Sequence, residues 1–186
     1  HSIDLVVTDS EESGQWYGSV TDTAKRLSLQ YTTPQDPNEN KFTSVLQSLQ
    51  PDLFVLAGYG KILKQNILAI PELMTVNLHA GKVPQYRGSS PMNWCLMNGD
   101  KSFSLSVLKV DAGVDSGDVL SERSFEISNE DTIRELHQIA NENFPQMLVD
   151  VIEQLGKGTY LLNPQDKSSD YYYPLRFPED GLILWD

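Results

Sequence analysis

Short apolar segments alternate with longer amphipathic segments along most of the chain. The segments at residues 3–7 and 53–57 have the length and composition of buried strands. The amphipathic segments place apolar residues three and four positions apart, as expected of helices with one buried face. This pattern predicts strands at residues 3–7, 53–57, 74–79, 103–110 and 119–127, and helices at residues 21–29, 40–50, 61–70, 90–97 and 132–155.

The order of these elements predicts an α/β fold with a doubly wound, mostly parallel sheet. In such folds the ligand binds at the carboxyl ends of the strands. Residues 1–158 form the predicted domain, and residues 159–186 form a polar, turn-rich tail. The tail carries Tyr171, Tyr172, Tyr173 and Trp185, and we expect its three adjacent tyrosines to pack on the domain rather than stack on a base.

Composition narrows the range of partners. The chain has 186 residues, of which 39% are hydrophobic and 22% charged, as in ordinary globular domains. Its formal net charge of −12 makes nucleic acid an unlikely partner, because that affinity rests on phosphate neutralisation. Residues 53–99 depart from this balance, with four basic residues against Glu72 alone and a local charge of +3. Unless this clustering is chance, it favours an anionic small molecule. The four basic residues are Lys61, Lys64, Lys82 and Arg87.

The cysteine count and the lengths of the apolar runs indicate the cellular compartment. Cys95 is the single cysteine, which excludes an intramolecular disulfide and a thiolate-based metal site. No apolar run approaches the roughly 18 residues that a membrane-spanning helix needs, and no signal peptide is recognisable. We therefore expect a cytoplasmic protein without a membrane partner.

A candidate catalytic edge lies at the end of the strand at residues 74–79. Asn77 and His79 are two apart, so their side chains point to the same face of a strand. Asp115 lies in the loop at residues 111–118, where a second strand end could bring it close. Taken singly, each residue also has a structural interpretation: Asn77 could cap a turn, and Asp115 could form an Asx-turn.

Several motifs in one order resemble the folate-dependent formyltransferase family. This family includes methionyl-tRNA formyltransferase, glycinamide ribonucleotide formyltransferase and the sugar N-formyltransferases. The similarity runs from Ile3 to about Leu155, and residues 173–181 with Trp185 are similar to the linker after the catalytic domain in the tRNA and sugar members. The motifs are Asn77-Leu78-His79, Pro84-Gln85-Tyr86-Arg87-Gly88, Trp94 with Asn98-Gly99-Asp100, and Val110-Asp111-Ala112-Gly113-Val114-Asp115-Ser116-Gly117-Asp118.

The resemblance implies a Rossmann-like fold, a formyl donor and a set of site residues. The implied donor is 10-formyltetrahydrofolate, with no metal, and Asn77, His79 and Asp115 match the catalytic trio. Substrate-binding candidates are Lys82, Tyr86, Arg87 and Trp94. One implied wall of the folate pocket comprises Leu56, Gly58, Tyr59, Gly60, Lys61, Ile62 and Leu63, and the other comprises Val110, Asp111, Ala112, Gly113 and Val114.

The chemistry of formyl transfer suits these residue types. An amine that attacks a formyl carbon gives a tetrahedral intermediate with charge on oxygen and an excess proton on nitrogen. Asn77 can donate to the oxyanion, which is worth about 3 kcal/mol for a well-placed donor. His79 can donate or move a proton near neutral pH, and Asp115 can orient the imidazole or relay a proton through water.

The resemblance leaves the acceptor and the start of the domain open. A nucleotide-linked amino sugar is the expected acceptor, with methionyl-tRNA or glycinamide ribonucleotide as alternatives. A formyltetrahydrofolate hydrolase and a non-catalytic folate-binding module are rivals of another class, and a homodimer is a possible assembly. The family's first strand–helix unit, about thirty residues long, is expected before Ile3. Its absence predicts an incomplete chain, a partner that supplies the unit, or a rearranged fold.

Overall fold

The computed structural model describes residues 1–9, 18–166, 168 and 171–182. Trp185, which belongs to the predicted tail motif, lies outside the described residues. The chain divides into two compact units, residues 1–75 and residues 76–186. The three residues of the candidate catalytic edge all belong to the second unit.

The described part of the first unit contains a pair of short parallel strands, a third strand and three helices. Strand β1 (Val6–Val7) pairs in parallel with β2 (Tyr31–Thr32), which the hydrophobic pattern did not predict because it is only two residues long. The side chains of Ala24, Leu46 and Ile67 are buried in this unit. The other elements are α1 (Val20–Arg26), α2 (Asn40–Ser48), β3 (Leu53–Leu56) and α3 (Gln65–Leu68).

Helix α3 is shorter than the sequence pattern predicts. The prediction of a helix over residues 61–70 is wrong, because only Gln65–Leu68 are helical. Asn38 explains the late start: its side chain accepts from the Lys64 N–H at 2.7 Å and donates to the Ile62 carbonyl at 2.9 Å. These backbone groups are therefore bonded to a loop side chain rather than within a helix.

The second unit is built around an antiparallel ribbon of three strands. Strand β4 (Met74–His79) begins at the end of the first unit and pairs antiparallel with β5 (Ser102–Lys109). Strand β5 pairs antiparallel with β6 (Val119–Glu126). The α/β prediction is confirmed, but the sheet is mixed, because the short loop between β5 and β6 forms a hairpin and cannot carry a parallel crossover.

The buried residues of the second unit centre on β5, which both α4 (Pro91–Asn98) and α5 (Ile133–Lys157) contact. Even the β5 hydroxyl residues Ser104 and Ser106 are buried. Both faces of β5 are therefore buried, although serines alternate with apolar residues in its first half. The apolar core includes Val76, Phe103, Leu105, Val107 and Leu108 from the strands and Leu136, Met147, Val151 and Leu155 from α5.

The described residues of the tail, 159–166, 168 and 171–182, belong to the second unit, and several of them hydrogen-bond to its strands and loops. Asn163 pairs with Val119 and Tyr173 pairs with Gly88. The Tyr173 ring stacks on Tyr86, with centroids 5.1 Å apart and an interplanar angle of 8°. For Tyr173, packing on the domain is therefore what the structure shows. A short 3₁₀ helix at Pro178–Gly181 follows.

Two kinds of feature are absent from the part of the chain that the structure describes. None of its helices has the length and apolar character needed to cross a membrane. None of its groups of three or more His, Cys, Asp or Glu side chains is arranged to hold a metal ion.

The N-terminus of α5 offers a test of the fold. Thr132 accepts from the Arg134 N–H at 3.2 Å, and Glu135 accepts from the Thr132 N–H at 2.8 Å, which together form a capping box. We expect Thr132→Ala to lower the free energy of unfolding by about 1 kcal/mol, because the helix loses this cap. Urea denaturation measures the change. Thr132→Ser, which keeps the hydroxyl, is the control, and an equal loss in both variants would contradict the explanation.

Candidate active site

The fold brings Asn77, His79 and Asp115 together. In β4, Asn77 lies opposite Leu108 and His79 opposite Ser106 of β5. The loop after β5 returns Asp115 to the same edge, with φ 48°, in the left-handed region. Asp tolerates this conformation better than most residues because its short side chain can hydrogen-bond locally.

The carboxylate of Asp115 is the centre of this cluster. Its Oδ1 accepts a hydrogen bond from Asn77 Nδ2 at 3.0 Å. Its Oδ2 accepts from the backbone N–H of Gly88 at 3.0 Å and lies 3.5 Å from Nδ1 of His79. Each carboxylate oxygen therefore faces a donor, which fixes the orientation of the group.

The imidazole of His79 meets an oxygen atom at each ring nitrogen. The residue is 5% exposed, and its Nε2 lies 2.7 Å from the carbonyl oxygen of Tyr86. Nδ1 faces the Asp115 carboxylate. Because a carbonyl and an ionised carboxylate only accept hydrogen bonds, the doubly protonated ring satisfies both and either neutral tautomer satisfies one. The surroundings of the ring therefore suit a group that holds or passes on a proton.

Gly81 permits the close approach of the Tyr86 carbonyl to His79. A Cβ atom at this position would lie 2.7 Å from Nε2 of His79 and 2.8 Å from the Tyr86 oxygen. The buried hydroxyl of Ser106 donates to the Gly81 carbonyl at 2.9 Å and ties the turn to β5. The absence of a side chain at Gly81 is thus part of the geometry around the imidazole.

Gly88 is required for a different reason. Its φ of +96° is unfavourable for residues with a side chain, and a Cβ would overlap the backbone of Tyr173. We expect Gly88→Ala to lower the free energy of unfolding by more than about 1 kcal/mol and to weaken the N–H contact to Asp115. Urea denaturation measures the loss. Gly99→Ala is the matched control, because Gly99 has φ +71° with open space around it, and an equal loss there would exclude the overlap with Tyr173 as a cause.

Comparison with known proteins shows the family of this chain. The family described as formyl transferase matches residues 3–152. The chain belongs to the formyl transferase family. The methionyl-tRNA formyltransferase of Geobacter metallireducens is 35% identical to it over 152 residues, 82% of this chain and 49% of that protein. The chain thus spans about half the length of this curated relative.

Solved structures of the family share the fold at lower identity. A phosphoribosylglycinamide formyltransferase from Streptococcus pneumoniae superposes with a TM-score of 0.72 at 23% identity, over 83% of this chain and 87% of that chain. An N-formyltransferase from Helicobacter canadensis, in complex with folinic acid and dTDP-3-aminofucose, gives 0.70 at 17% identity, over 91% and 60%. These matches confirm the predicted Rossmann-like fold.

The first wall of the folate pocket that the family resemblance implies, residues 56–63, follows β3 in the first unit. Gly60 donates its N–H to the Asp9 carboxylate at 2.9 Å. Ile62 is 80% exposed, and the buried hydroxyl of Tyr59 hydrogen-bonds to none of the described residues. The exposed side chain of Ile62 is an apolar surface of the kind that a heterocyclic ligand packs against.

Lys61 is bonded to backbone within the first unit. Its ammonium donates to the carbonyl oxygens of Pro34 at 2.7 Å and Gln35 at 3.0 Å. This side chain is therefore already held by two acceptors, and one of its three N–H donors is left for an anion.

The second implied wall, residues 110–114, is the exposed rim of the loop that carries Asp115. Oδ1 of Asp111 accepts from the Gly113 N–H at 3.0 Å and from the Ser116 hydroxyl at 2.7 Å, which forms an Asx-turn. Val114 is 51% exposed. The turn therefore presents backbone and one apolar side chain outward, as a ligand wall requires.

The predicted substrate-binding residues fall into two groups. Lys82 is exposed, whereas Tyr86, Arg87 and Trp94 are engaged within the second unit. The Tyr86 hydroxyl donates to the Asp100 carboxylate, and burial together with this bond raises the pKa of Tyr86. Their roles toward a substrate stay predictions.

Arg87 and Trp94 contact the tail. Arg87 is 4% exposed, and its Nε donates to Gln165 at 2.9 Å. The Trp94 ring lies 4.9 Å from the ring of Tyr173, and its Nε1 donates to the Pro174 carbonyl at 3.1 Å.

Sequence reasoning missed Gly88 and Gln165 as neighbours of Asp115. The glycine inside a motif was a usable signal, whereas a lone Gln in a polar tail gave none.

Proposed function

We propose that this chain transfers a formyl group from 10-formyltetrahydrofolate to a primary amine. The observation that carries this proposal is the Asp115 carboxylate, placed between the amide of Asn77 and the imidazole of His79 in a member of the formyl transferase family. The folate is a substrate here, and the exposed side chain of Val114, in the loop that carries Asp115, is an apolar surface that supports its binding.

The trio divides the work of the transfer. The amine nitrogen forms a bond to the formyl carbon, and the carbonyl electron pair moves onto oxygen. One N–H of Asn77 is bonded to Asp115, which leaves the second to stabilise this oxygen. The ammonium proton passes to the Asp115–His79 pair, directly or through water, and then to the folate nitrogen as its bond to the formyl carbon breaks.

Holding both substrates together lowers the barrier further. A bimolecular attack becomes effectively unimolecular once both reactants are oriented on one site. Neither a covalent enzyme intermediate nor a metal is needed for this chemistry.

For the acceptor, we propose the amino group of methionyl-tRNA ahead of a nucleotide-linked amino sugar. The sequence analysis put the amino sugar first. The sequence identities favour methionyl-tRNA, because the methionyl-tRNA formyltransferase relative is 35% identical to this chain, whereas the solved structure with a bound dTDP-amino sugar is 17% identical. The net charge of −12 is only weak evidence against a tRNA acceptor, because this chain spans about half the length of that relative (49%).

One assay separates the candidates. The protein is incubated with 10-formyltetrahydrofolate and either initiator methionyl-tRNA, glycinamide ribonucleotide or dTDP-linked amino sugars, and the formylated product is measured. We expect product with methionyl-tRNA. Product only with an amino sugar would reverse the order of acceptors. Formate released without any acceptor would indicate a hydrolase, and folate binding without turnover would indicate a binding module.

A further inference from the structure

Gln165 of the tail is buried against the loop that carries Asp115. The residue is 8% exposed. Its Nε2 donates to the backbone carbonyl oxygens of Asp115 at 2.9 Å and Gly117 at 2.6 Å. Its Oε1 accepts from Nε of Arg87 at 2.9 Å. All the hydrogen-bonding groups of this amide are therefore directed at residues around the candidate active site.

The orientation of the Gln165 amide follows from its partners. A guanidinium only donates hydrogen bonds and a carbonyl oxygen only accepts them. Only one orientation of the amide satisfies Arg87 and the two carbonyl groups together. Arg87 is itself buried, and its guanidinium lies 5.9 Å from the centre of the Tyr172 ring. The donor that faces Oε1 of Gln165 is therefore held in place as well.

The backbone that Gln165 holds is in an unfavourable conformation. Asp115 has φ 48°, and residues other than glycine adopt this region infrequently. Such conformations persist where surrounding contacts over-determine them. The amide of Gln165 donates to the carbonyl oxygens of Asp115 and Gly117. These two hydrogen bonds restrain the turn on the C-terminal side of Asp115.

The tail is anchored on both sides of Gln165. Asn163 and Val119 exchange backbone hydrogen bonds of 3.0 and 2.9 Å. Further along, the Tyr173 N–H donates to the Arg87 carbonyl, and the Tyr173 carbonyl accepts from the Ser89 N–H, both at 2.9 Å. Gln165 lies beyond residue 152, where the family match ends, yet these anchors hold it against the family's site.

We propose that Gln165 is a positioning residue for the reaction: through its two carbonyl contacts it holds Asp115 where the carboxylate meets both Asn77 and His79. This inference rests on the proposed formyl transfer. Gln165 bonds to Asp115 and Gly117, which follow the implied folate wall at residues 110–114, so we expect its contribution in kcat rather than in the KM of the folate.

Two substitutions of Gln165 test the proposal. Gln165→Glu keeps the size and the acceptor for Arg87 but replaces the donor with an oxygen that faces two carbonyl groups. Gln165→Ala removes all three contacts. We expect kcat to fall about 10- to 100-fold in both, the size typical of residues that orient a catalytic group, with the KM for the folate within about threefold of wild type. Asn163→Ala is the matched control: it keeps the backbone bonds to Val119 that anchor the tail, and among the described residues its side chain bonds to the Val119 carbonyl alone, so kcat should be unchanged.

A double-mutant cycle with Asp115→Asn distinguishes positioning from general stability. If Gln165 acts through the Asp115 carboxylate, Gln165→Ala should change kcat less than about threefold once that carboxylate is gone. An equal loss in both backgrounds overturns the proposal, because it would mean that Gln165 acts elsewhere.

Amide exchange supplies a readout that does not depend on turnover. The Gly88 N–H donates to the Asp115 carboxylate, so its exchange rate, measured by NMR, reports whether the carboxylate is in place. We expect exchange at least about tenfold faster in both Gln165 variants and unchanged in Asn163→Ala. Unchanged exchange in the Gln165 variants overturns the positioning role. A wild type that transfers no formyl group overturns the proposed function alone, since the exchange result still decides the role of Gln165.

Discussion

Replacement of His79 by alanine is expected to lower kcat for formyl transfer by about 10²- to 10⁴-fold, the usual contribution of a positioned acid–base group. The imidazole is 5% exposed and lies between the Tyr86 carbonyl at 2.7 Å and the Asp115 carboxylate at 3.5 Å. Removing it takes away the group that holds a proton beside the reacting nitrogen. Steady-state kinetics with saturating acceptor measures kcat.

Folate binding should hardly change in this variant, because the residues that we assign to the folate pocket are elsewhere. Titration of tetrahydrofolate, followed by protein fluorescence, gives the Kd. His137→Ala is the control: this histidine lies in α5, where burial lowers its pKa, and it has no role in the proposed chemistry. If His79→Ala retained wild-type kcat, the catalytic assignment of the trio would be wrong.

The second large effect is expected for Asp115→Asn, with a loss of about 10²- to 10³-fold in kcat. Asparagine has the same shape and also tolerates the left-handed conformation, so the backbone should stay in place. Both oxygens of the carboxylate face donors, from Asn77 and from Gly88. The asparagine amide has one oxygen and one nitrogen in place of the two carboxylate oxygens, so one of these two donors would face an N–H group instead of an acceptor. The substitution also removes the negative charge beside His79.

Asp118→Asn is the matched control, since Asp118 lies in the same loop and is bonded there through its backbone carbonyl to Lys109, while its carboxylate hydrogen-bonds to none of the described residues of the candidate site. Rates and thermal stability are measured for both variants. A loss of kcat that is the same in the two variants would indicate that the loop, and not the carboxylate of Asp115, is responsible. A loss of stability without a loss of kcat in Asp115→Asn would assign that carboxylate a structural role.

Several elements were predictable because their signals are local. The strand at residues 74–79 has the predicted bounds, and α5 begins one residue later than predicted because Thr132 is its N-cap. The spacing of Asn77 and His79 fixed their common face by strand geometry alone. Apolar periodicity and capping residues act within a few positions of the chain, so a sequence displays them directly.

Other elements depended on contacts between distant residues. The helix predicted at residues 61–70 covers only Gln65–Leu68, because the side chain of Asn38, which is distant in the sequence, hydrogen-bonds to the backbone of its expected first turn. The direction of β5 against β4 was not visible in the hydrophobic pattern, since a strand buried on both faces looks the same in either direction.

The same division applies to the candidate site. The sequence by itself determined the order of the longer elements, the family and the identities of Asn77, His79 and Asp115, because residue types and their spacing are properties of the chain. Only the tertiary structure decided that the Asp115 carboxylate joins the other two and that Gln165 of the tail holds its backbone. These contacts depend on how remote segments pack, and no pattern within a few residues of Gln165 encodes them.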